Sequence, residues 1–406
     1  MRYTVGIDWA DEKFDVCLLN DTGATVKALV ITKDVEGFLQ LLDELRKLGA
    51  SGQDVRCLIE TPHSPLVDFL LHHGYAVYHI NPKTVAACRE RYTVSQAKSD
   101  HFDAFVLADV MRTDQRAPRP LTLGTEQSRE IAVLTADLRS LIDQKVALDN
   151  ALLATVKTYY PVFVELFEHP TCKTACAFLE AYPTYDVAHA LSESALQTFF
   201  RGQRYYQTVH IQHIAETLAQ PQIPIDTVIV RAKSRKALAL LAQLRPLLGV
   251  IRDYEQAIWA LVECHPDTDI FRSLPGAGTR LVPELLGLFG DNRDRFQTYQ
   301  EVQQYAGSAP VTISSGKYHT VRFRRACHKR FRNALQQFAF TSLKECLWAK
   351  TYYHQLIQRG KTHQHALRCV ANKWVKILFT MWKTHTLYDE QKHLAQIATQ
   401  QMIAQT

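Results

Sequence analysis

The sequence predicts a mixed α/β domain over residues 1–120, followed by a helical arm and a mostly helical C-terminal domain. Strand-like and helix-like patterns alternate through the first 110 residues. Two later stretches are much longer and have apolar residues at helical spacing, and the segment between them is broken by prolines. With 406 residues, the chain is long enough for two or three domains.

The first domain opens with three short runs that have the composition of strands, YTVGID, FDVCLLN and TVKALVIT. The segment VEGFLQLLDELRKLG then has helical periodicity and stops at a glycine, which is typical of a helix C-terminus. A strand (VRCLIE), a helix (LVDFLLHHG), a second strand (YAVYHIN) and two further helices within residues 84–113 follow. The order β-β-β-α-β-α-β-α predicts a mixed sheet covered by helices, which is the order of the ribonuclease-H-like fold.

The remainder of the chain is predicted to be helical. Long helices at about 126–160 and 227–264 suggest an antiparallel coiled-coil arm within residues 121–265, and such arms usually serve oligomerisation. Residues 161–226 form a small helical insert in this arm, to which the sequence assigns no role. Residues 266–390 are predicted to form the C-terminal domain, and residues 391–406 a frayed tail.

Composition limits the classes of partner. The apolar fraction of 47% and the charged fraction of 22% are ordinary for a soluble protein, and the net charge is only +6. No apolar run approaches the ~18 residues of a spanning helix, so a membrane is not expected as a partner. The N-terminus carries acids where a signal peptide would be apolar, which favours a cytoplasmic location. Nine scattered cysteines without a CxxC pair indicate free thiols rather than disulfides or zinc.

Four carboxylates are predicted to meet at one edge of the sheet. Asp8 ends the first strand, Glu60 ends the strand after the first helix, and Asp100 and Asp103 share one helix face. Oxygen ligands of this kind suit Mg²⁺ or Mn²⁺, and two such ions about 4 Å apart would clamp the reacting oxygens of a phosphodiester. Taken singly, each acid could be a turn cap, a strand end or a helix N-terminal residue, but their joint placement favours a catalytic metal site.

A basic segment lies near the C-terminal domain's centre. It has seven Lys/Arg and no acid, namely Lys317, Arg322, Arg324, Arg325, Lys329, Arg330 and Arg332. Such a run is either a solvated helix face or a surface that contacts nucleic-acid phosphates. Upstream, the turn LPGAG places Gly276 and Gly278 before an apolar helix. Its amides could hold a phosphate oxygen, although a plain tight turn between packed helices is equally compatible.

Several of these stretches resemble one protein family. YTVGIDWADEKFDVCLL, CLIETPHSPLVDFLLHHGYAVYHINP and AKSDHFDAFVLADV resemble the N-terminal DEDD domain of the bridge-RNA-guided insertion-sequence recombinases, whose catalytic domain resembles the RuvC resolvases. The segment from FRSLPGAG to VTISSG resembles the second conserved domain of that family. The resemblance covers roughly residues 1–125 and 270–385.

This resemblance implies an RNA-guided DNA recombinase that forms a phosphoserine with DNA, supported by metal ions on the four carboxylates. The family's serine precedes a glycine downstream of an AG-x-x-P stretch, which falls on Ser315, with Ser314 the lesser candidate. No base is visible beside Ser315, so the bound metals would have to activate it. The implied partners are donor and target DNA, a non-coding bridge RNA and further copies of the chain in a dimer or tetramer, with nucleoid association during activity.

Three other functions compete with this interpretation. A hydrolytic metal-dependent nuclease or resolvase would need the carboxylates but not the serine. An actin-like ATPase also begins with GID on its first strand, but its phosphate-binding glycines are replaced here by Trp9, Ala10 and Asp11. A non-catalytic RNA-binding protein would show no metal-dependent activity.

Overall fold

The computed structural model describes residues 2–61, 64–80, 82–92, 99–114, 120–316, 318–391 and 394. Lys317, residues 115–119 and nearly all of the tail therefore lie outside the described residues. The chain divides into two compact units, unit 1 (Met1–Leu123) and unit 2 (Gly124–Thr406). Each is described by itself.

Unit 1 contains a five-stranded sheet with helices on both faces. Its elements are β1 (Tyr3–Trp9), β2 (Lys13–Asn20), β3 (Thr25–Thr32), α1 (Val35–Lys47), β4 (Val55–Ile59), α2 (Pro65–His72), β5 (Ala76–His79), α3 (Pro82–Arg89) and α4 (Asp100–Thr113). The strand order is β3-β2-β1-β4-β5. β1, β2 and β3 pair antiparallel, whereas β1 with β4 and β4 with β5 pair parallel. The predicted mixed sheet is confirmed.

The two faces of this sheet differ in what covers them. Val5 and Ile7 of β1 pack into one core with α1 and α2. Cys17 and Leu19 of β2 pack instead against α4. Because side chains alternate along a strand, the odd positions of β2 and the even positions of β1 share the α4 face. Asp8 belongs to that face.

Gly6 allows α4 to lie directly on the sheet. A Cβ atom at this position would stand 1.9 Å from the carbonyl oxygen of Ala104 and 2.4 Å from the amide nitrogen of Ala108. Only a residue without a side chain fits so close a contact. The helix that carries the second pair of predicted acids is therefore seated against β1 by backbone contact.

Unit 2 is mostly helical, as expected. Its helices are α5 (Glu126–Lys157), α6 (Phe163–Leu166), α7 (Lys173–Ala181), α8 (Tyr185–His189), α9 (Glu193–Gly202), α10 (Thr208–Ala219), α11 (Thr227–Glu263), α12 (Thr268–Arg272), α13 (Gly278–Phe289), α14 (Tyr299–Tyr305), α15 (Lys329–Glu345), α16 (Leu347–Gln358) and α17 (His363–Thr384). A two-stranded hairpin of β6 (Val311–Ser315) and β7 (Tyr318–Arg322) was not predicted.

The two long helices of unit 2 run antiparallel. Near the start of α5, the Gln127 side chain donates to the Leu261 carbonyl near the end of α11, at 2.7 Å. At the other end of α5, Leu152 shares a core with Leu241 and the helices of the insert. A second core joins Ile131 and Ile258 to the helices after α11. The pair thus connects two separate hydrophobic cores within one unit.

Candidate active site

Strand pairing places Asp8 and Glu60 at the same edge of the sheet. In the parallel pairing of β1 with β4, Ile7 lies opposite Ile59. The next residue after each of these two is one of the predicted acids, so Asp8 and Glu60 lie side by side. Both are partly buried.

The first turn of α4 supplies Asp100 and Asp103. Ser99 caps this helix, accepting a hydrogen bond from the Phe102 amide at 3.3 Å. Acids in a first turn also interact favourably with the positive end of the helix dipole. Asp103 is only 2% exposed, and Asp100 is partly buried. The capped first turn of α4 therefore fixes the positions of Asp100 and Asp103 relative to the sheet.

Electrostatic coupling shows that all four acids are neighbours. The pKa of Asp8 is raised to about 6, chiefly by burial and then by the charges of Asp103, Glu60 and Asp100. Clustered acids of this kind favour a neutralising cation. The four side chains are therefore close enough in the folded unit for their charges to interact.

The donor set suits a hard divalent cation, because every candidate ligand is a carboxylate oxygen. Within the described part of the chain, however, no three His, Cys, Asp or Glu side chains are grouped closely enough to hold a metal ion. Side chains of the protein supply positive charge instead. Arg89 Nε lies 2.7 Å from Asp103 Oδ1, and Lys13 Nζ lies 3.9 Å from Asp100 Oδ2. The oxygen donors and the negative charge of the four acids suit such an ion. To bind it, their side chains would have to move closer together.

Ser315 is the last residue of β6 and lies on the exposed hairpin. Ser315 pairs with Tyr318, whereas Ser314 pairs with His319. Successive residues of a strand point to opposite faces, so the two serines face different sides of the hairpin. The histidine, a candidate base, is therefore a cross-strand neighbour of Ser314, and no sequence pattern indicated this pairing. Gly316 takes the turn with a φ of +55°, where a side chain would be strained.

The six described cations of the basic segment fall into three groups. Arg322, Arg325 and Lys329 are exposed. Arg330 instead points into unit 2, where its Nε lies 3.6 Å from Glu284 Oε1, and it also donates to the Ala132 carbonyl and the Thr135 hydroxyl. Burial lowers the pKa of Arg330. Its predicted role as a phosphate contact conflicts with these bonds, and the interaction is structural.

The other two arginines of the segment are partly engaged. Arg324 donates from Nε to the Ala309 carbonyl at 3.3 Å. Arg332 and Arg368 lie over the Phe323 ring, with their guanidinium carbons 5.3 and 4.8 Å from its centroid. This ring is 43% exposed, so an aromatic face flanked by two guanidinium groups lies beside the exposed cations of the segment.

The LPGAG turn holds a carboxylate of its own chain. Gly276 has a φ of +73° and donates its N–H to Glu345 Oε2 at 2.8 Å. A Cβ there would come within 2.8 Å of the Thr341 carbonyl oxygen. Gly278, with a φ of +56°, begins α13. The Gly276 amide is thus able to hold an anion. The close packing of the turn against α15 also requires glycine at this position.

A buried serine–histidine contact elsewhere in unit 2 is structural. Ser128 Oγ lies 2.6 Å from His265 Nε2. The other ring nitrogen, Nδ1, accepts a hydrogen bond from the Asp267 amide at 3.1 Å. Nε2 must therefore carry the proton and donate to the serine, so this histidine cannot act as the serine's base.

Comparison with known proteins identifies the family. A DEDD transposase model of the IS110 type matches residues 5–161, and the model of the transposase IS116/IS110/IS902 family matches residues 268–354. The mini-circle putative transposase for IS117 of Streptomyces coelicolor is 32% identical over 397 residues, which cover 96% of each chain. This chain belongs to the IS110 family of transposases. The resemblance drawn from the sequence is confirmed.

Two further relatives share less of their sequence with this transposase. The uncharacterized 43.6 kDa protein of insertion element IS110, also from Streptomyces coelicolor, is 28% identical over 72% of this chain and 73% of its own length. A pilin gene-inverting protein of Moraxella lacunata is 26% identical over 35% of this chain and 46% of its own length. Among the described residues, the helices of the transposase are too short or too polar to cross a membrane.

Proposed function

We propose that this transposase is an RNA-guided DNA recombinase of an insertion sequence, which cuts and rejoins DNA through a phosphoserine. The observation that carries the proposal is the coupled set of Asp8, Glu60, Asp100 and Asp103 at one sheet edge. The strand order β3-β2-β1-β4-β5 supports a ribonuclease-H-like unit, and the name of the pilin gene-inverting relatives supports DNA rearrangement.

The four carboxylates are the residues that would hold Mg²⁺ or Mn²⁺. When bound, such ions stabilise the attacking and leaving oxygens of a phosphodiester. The protein's own part is to fix the acids: β1 and β4 align the first two, and Ser99 and Gly6 set the position of α4. Arg89 and Lys13 offset part of the negative charge while the acids are close together.

Ser315 is the proposed nucleophile. Its Oγ forms a bond to phosphorus, and the bond from phosphorus to one sugar oxygen breaks. The proton lost by the serine hydroxyl is balanced by the proton that the leaving sugar oxygen takes up. Because one phosphoester replaces another, the bond is conserved for rejoining to a second strand. The exposed position of Ser315 at a hairpin end supports access for a polymer substrate.

The nucleic-acid partners would be held by charge. Arg322, Arg325 and Lys329 supply exposed cations on the β6–β7 hairpin and in the segment that follows it. The amide of Gly276 holds Glu345 in this structure and would bind a phosphate only in place of that carboxylate. Base pairing by a bridge RNA would choose the donor and target DNA. This part of the proposal rests on the family resemblance.

Reconstitution tests the proposed function. RNA that co-purifies with the protein, from cells carrying its gene and the flanking non-coding DNA, is sequenced and combined with two matching DNAs. Recombinant product is expected only when the RNA and Mg²⁺ or Mn²⁺ are both present. Product without RNA would refute RNA guidance, and product in excess chelator would refute the metal requirement. Cleaved DNA with free ends and no joined product would favour the hydrolytic nuclease or resolvase.

A further inference from the structure

A fifth carboxylate lies within the acid cluster. In the antiparallel pairing of β1 with β2, Asp15 is directly opposite Asp8. Directly paired residues place their Cβ atoms about 5 Å apart on the same face of a sheet. Asp15 is only 4% exposed, in a strand whose other inner residues are almost all apolar. A buried carboxylate is costly unless it has a partner.

The partner of this buried acid is Lys13, two residues earlier on the same face of β2. Its Nζ lies 3.2 Å from Asp15 Oδ2 and 3.9 Å from Asp100 Oδ2. The Lys13 side chain is 44% exposed, whereas that of Asp15 is 5% exposed. The Lys13 side chain therefore extends from the buried Asp15 to Asp100, on the solvent-exposed side of the four carboxylates.

Asp15 and Asp100 differ in how strongly they hold the ammonium group of Lys13. Solvent and salt screen an exposed pair far more than a buried one. The Asp100 side chain is 44% exposed. It is also a proposed metal ligand, so a bound metal ion rather than Lys13 would neutralise its charge. Asp15, which is buried and closer, is the residue that fixes the lysine beside Asp100.

We propose that Lys13, positioned by Asp15, contacts the non-bridging oxygens of the phosphodiester that reacts at the carboxylate cluster. The proposal rests on the proposed function, because it requires that a phosphodiester be cleaved there. The cation is pre-placed at the open side of an acid cluster that would otherwise repel DNA. A charged hydrogen bond to the phosphate strengthens as negative charge builds in the transition state. Asp15 acts through the lysine and is a positioning residue.

The competing interpretation is that Lys13 is only a counter-ion, which offsets repulsion among the acids until a metal ion replaces it. The two interpretations predict opposite results. A counter-ion competes with the metal, so its removal should raise metal affinity and leave the rate at saturating metal unchanged. A phosphate contact is needed at saturating metal, so its removal should lower that rate.

The experiment measures DNA cleavage at saturating Mn²⁺ for Lys13→Gln, Lys13→Arg, Asp15→Asn and the double variant Lys13→Gln/Asp15→Asn. Mn²⁺ binding is measured separately by electron paramagnetic resonance, and folding by circular dichroism. Lys13→Gln should cleave about 100-fold more slowly, as for loss of one preorganised donor, with metal affinity equal or higher. Lys13→Arg should recover part of the rate. The double variant should be little slower than Lys13→Gln, because Asp15 acts through the lysine.

The control is Lys27→Gln, which removes a lysine from a pair with Glu44 at 3.8 Å outside the cluster and should leave cleavage unchanged.

A substrate with a neutral methylphosphonate at the scissile position should abolish the difference between wild type and Lys13→Gln. Unchanged cleavage by a folded, metal-dependent Lys13→Gln variant would overturn the inference alone. Cleavage by the wild type in chelator would instead overturn the proposed function.

Discussion

At Asp8, burial and three neighbouring carboxylates oppose ionisation in the metal-free protein. The pKa of this group is about 6 in the folded chain against an ordinary value of 3.8. Between these two pH values the folded state binds more protons than the unfolded state. The free energy of unfolding therefore falls as pH rises through this window, and the deficit stays constant above it.

Asp8→Asn should accordingly stabilise the metal-free protein while abolishing cleavage. We expect a gain of about 2 kcal/mol at pH 7, reduced from the full shift because the site is partly exposed, and no gain below pH 3.8. Urea unfolding at several pH values in chelator measures it. Asp43→Asn, which changes an exposed acid on α1, is the control and should alter neither quantity. A pH-independent difference between Asp8→Asn and wild type would contradict this account.

Sequence patterns found the acids but not the lysine beside them. Asp8, Glu60, Asp100 and Asp103 could be predicted because each stands at the end of a strand or the start of a helix. Lys13 and Asp15 required the pairing register of β1 with β2, which depends on the turn between them. The alternation of β2, with a lone acid among apolar residues, was the available signal.

Among the secondary-structure elements, α4 depends most on a single small residue. In Gly6→Ala the added methyl group would overlap the backbone at Ala104, so α4 must move away from β1. We expect a loss of more than about 3 kcal/mol of stability, together with loss of cleavage. Thermal unfolding measures the first. Gly249→Ala is the matched control, because nothing lies within 4 Å of its Cβ, and it should stabilise α11 by up to about 1 kcal/mol. Equal stability of Gly6→Ala and wild type would contradict the packing described.

The basic segment should show two distinct behaviours. Neutralising Arg322, Arg325 and Lys329 should weaken DNA binding similarly for unrelated sequences and lower the salt slope by about one for each phosphate that is no longer neutralised. Thermal stability should not change. Arg330→Gln should instead cost about 3 kcal/mol of stability, because it removes the ion-pair partner of the largely buried Glu284. A DNA-binding defect in a fully stable Arg330→Gln variant would reverse this assignment.

The elements themselves were largely predictable, with one informative exception. Strands and helices of unit 1 have a buried face, and their apolar periodicity revealed them. The β6–β7 hairpin is exposed along nearly its whole length, and the alternation of Val311 and Ile313 with polar residues is too short to mark a strand. Likewise, charge alone could not distinguish Arg330 from its exposed neighbours, since the direction of its side chain depends on the packing of α15.

At the scale of the whole molecule, recombination of two DNAs requires several active sites, and we predict a dimer or tetramer assembled through α5 and α11. Val133 and Val146 of α5 are 60% and 48% exposed and are candidate interface residues. Changing both to Glu should shift light-scattering mass toward the monomer without unfolding the chain. Val187→Glu, at a 47% exposed position in the insert, is the control. A monomeric wild type that still recombines DNA would exclude this arrangement. Leu138 is unsuitable for such a test, because it packs against a core of its own unit.

The site at which the protein becomes covalently attached to DNA decides whether Ser315 is the nucleophile. A suicide substrate, which loses its leaving strand after cleavage, is incubated with the protein, guide RNA and Mg²⁺, and the denatured adduct is mapped by mass spectrometry. We expect a DNA-linked peptide modified at Ser315, no adduct with Ser315→Ala, and substantial adduct with Ser314→Ala. An adduct on Ser314, where His319 is the cross-strand neighbour, or cleavage with no adduct at all, would contradict this expectation.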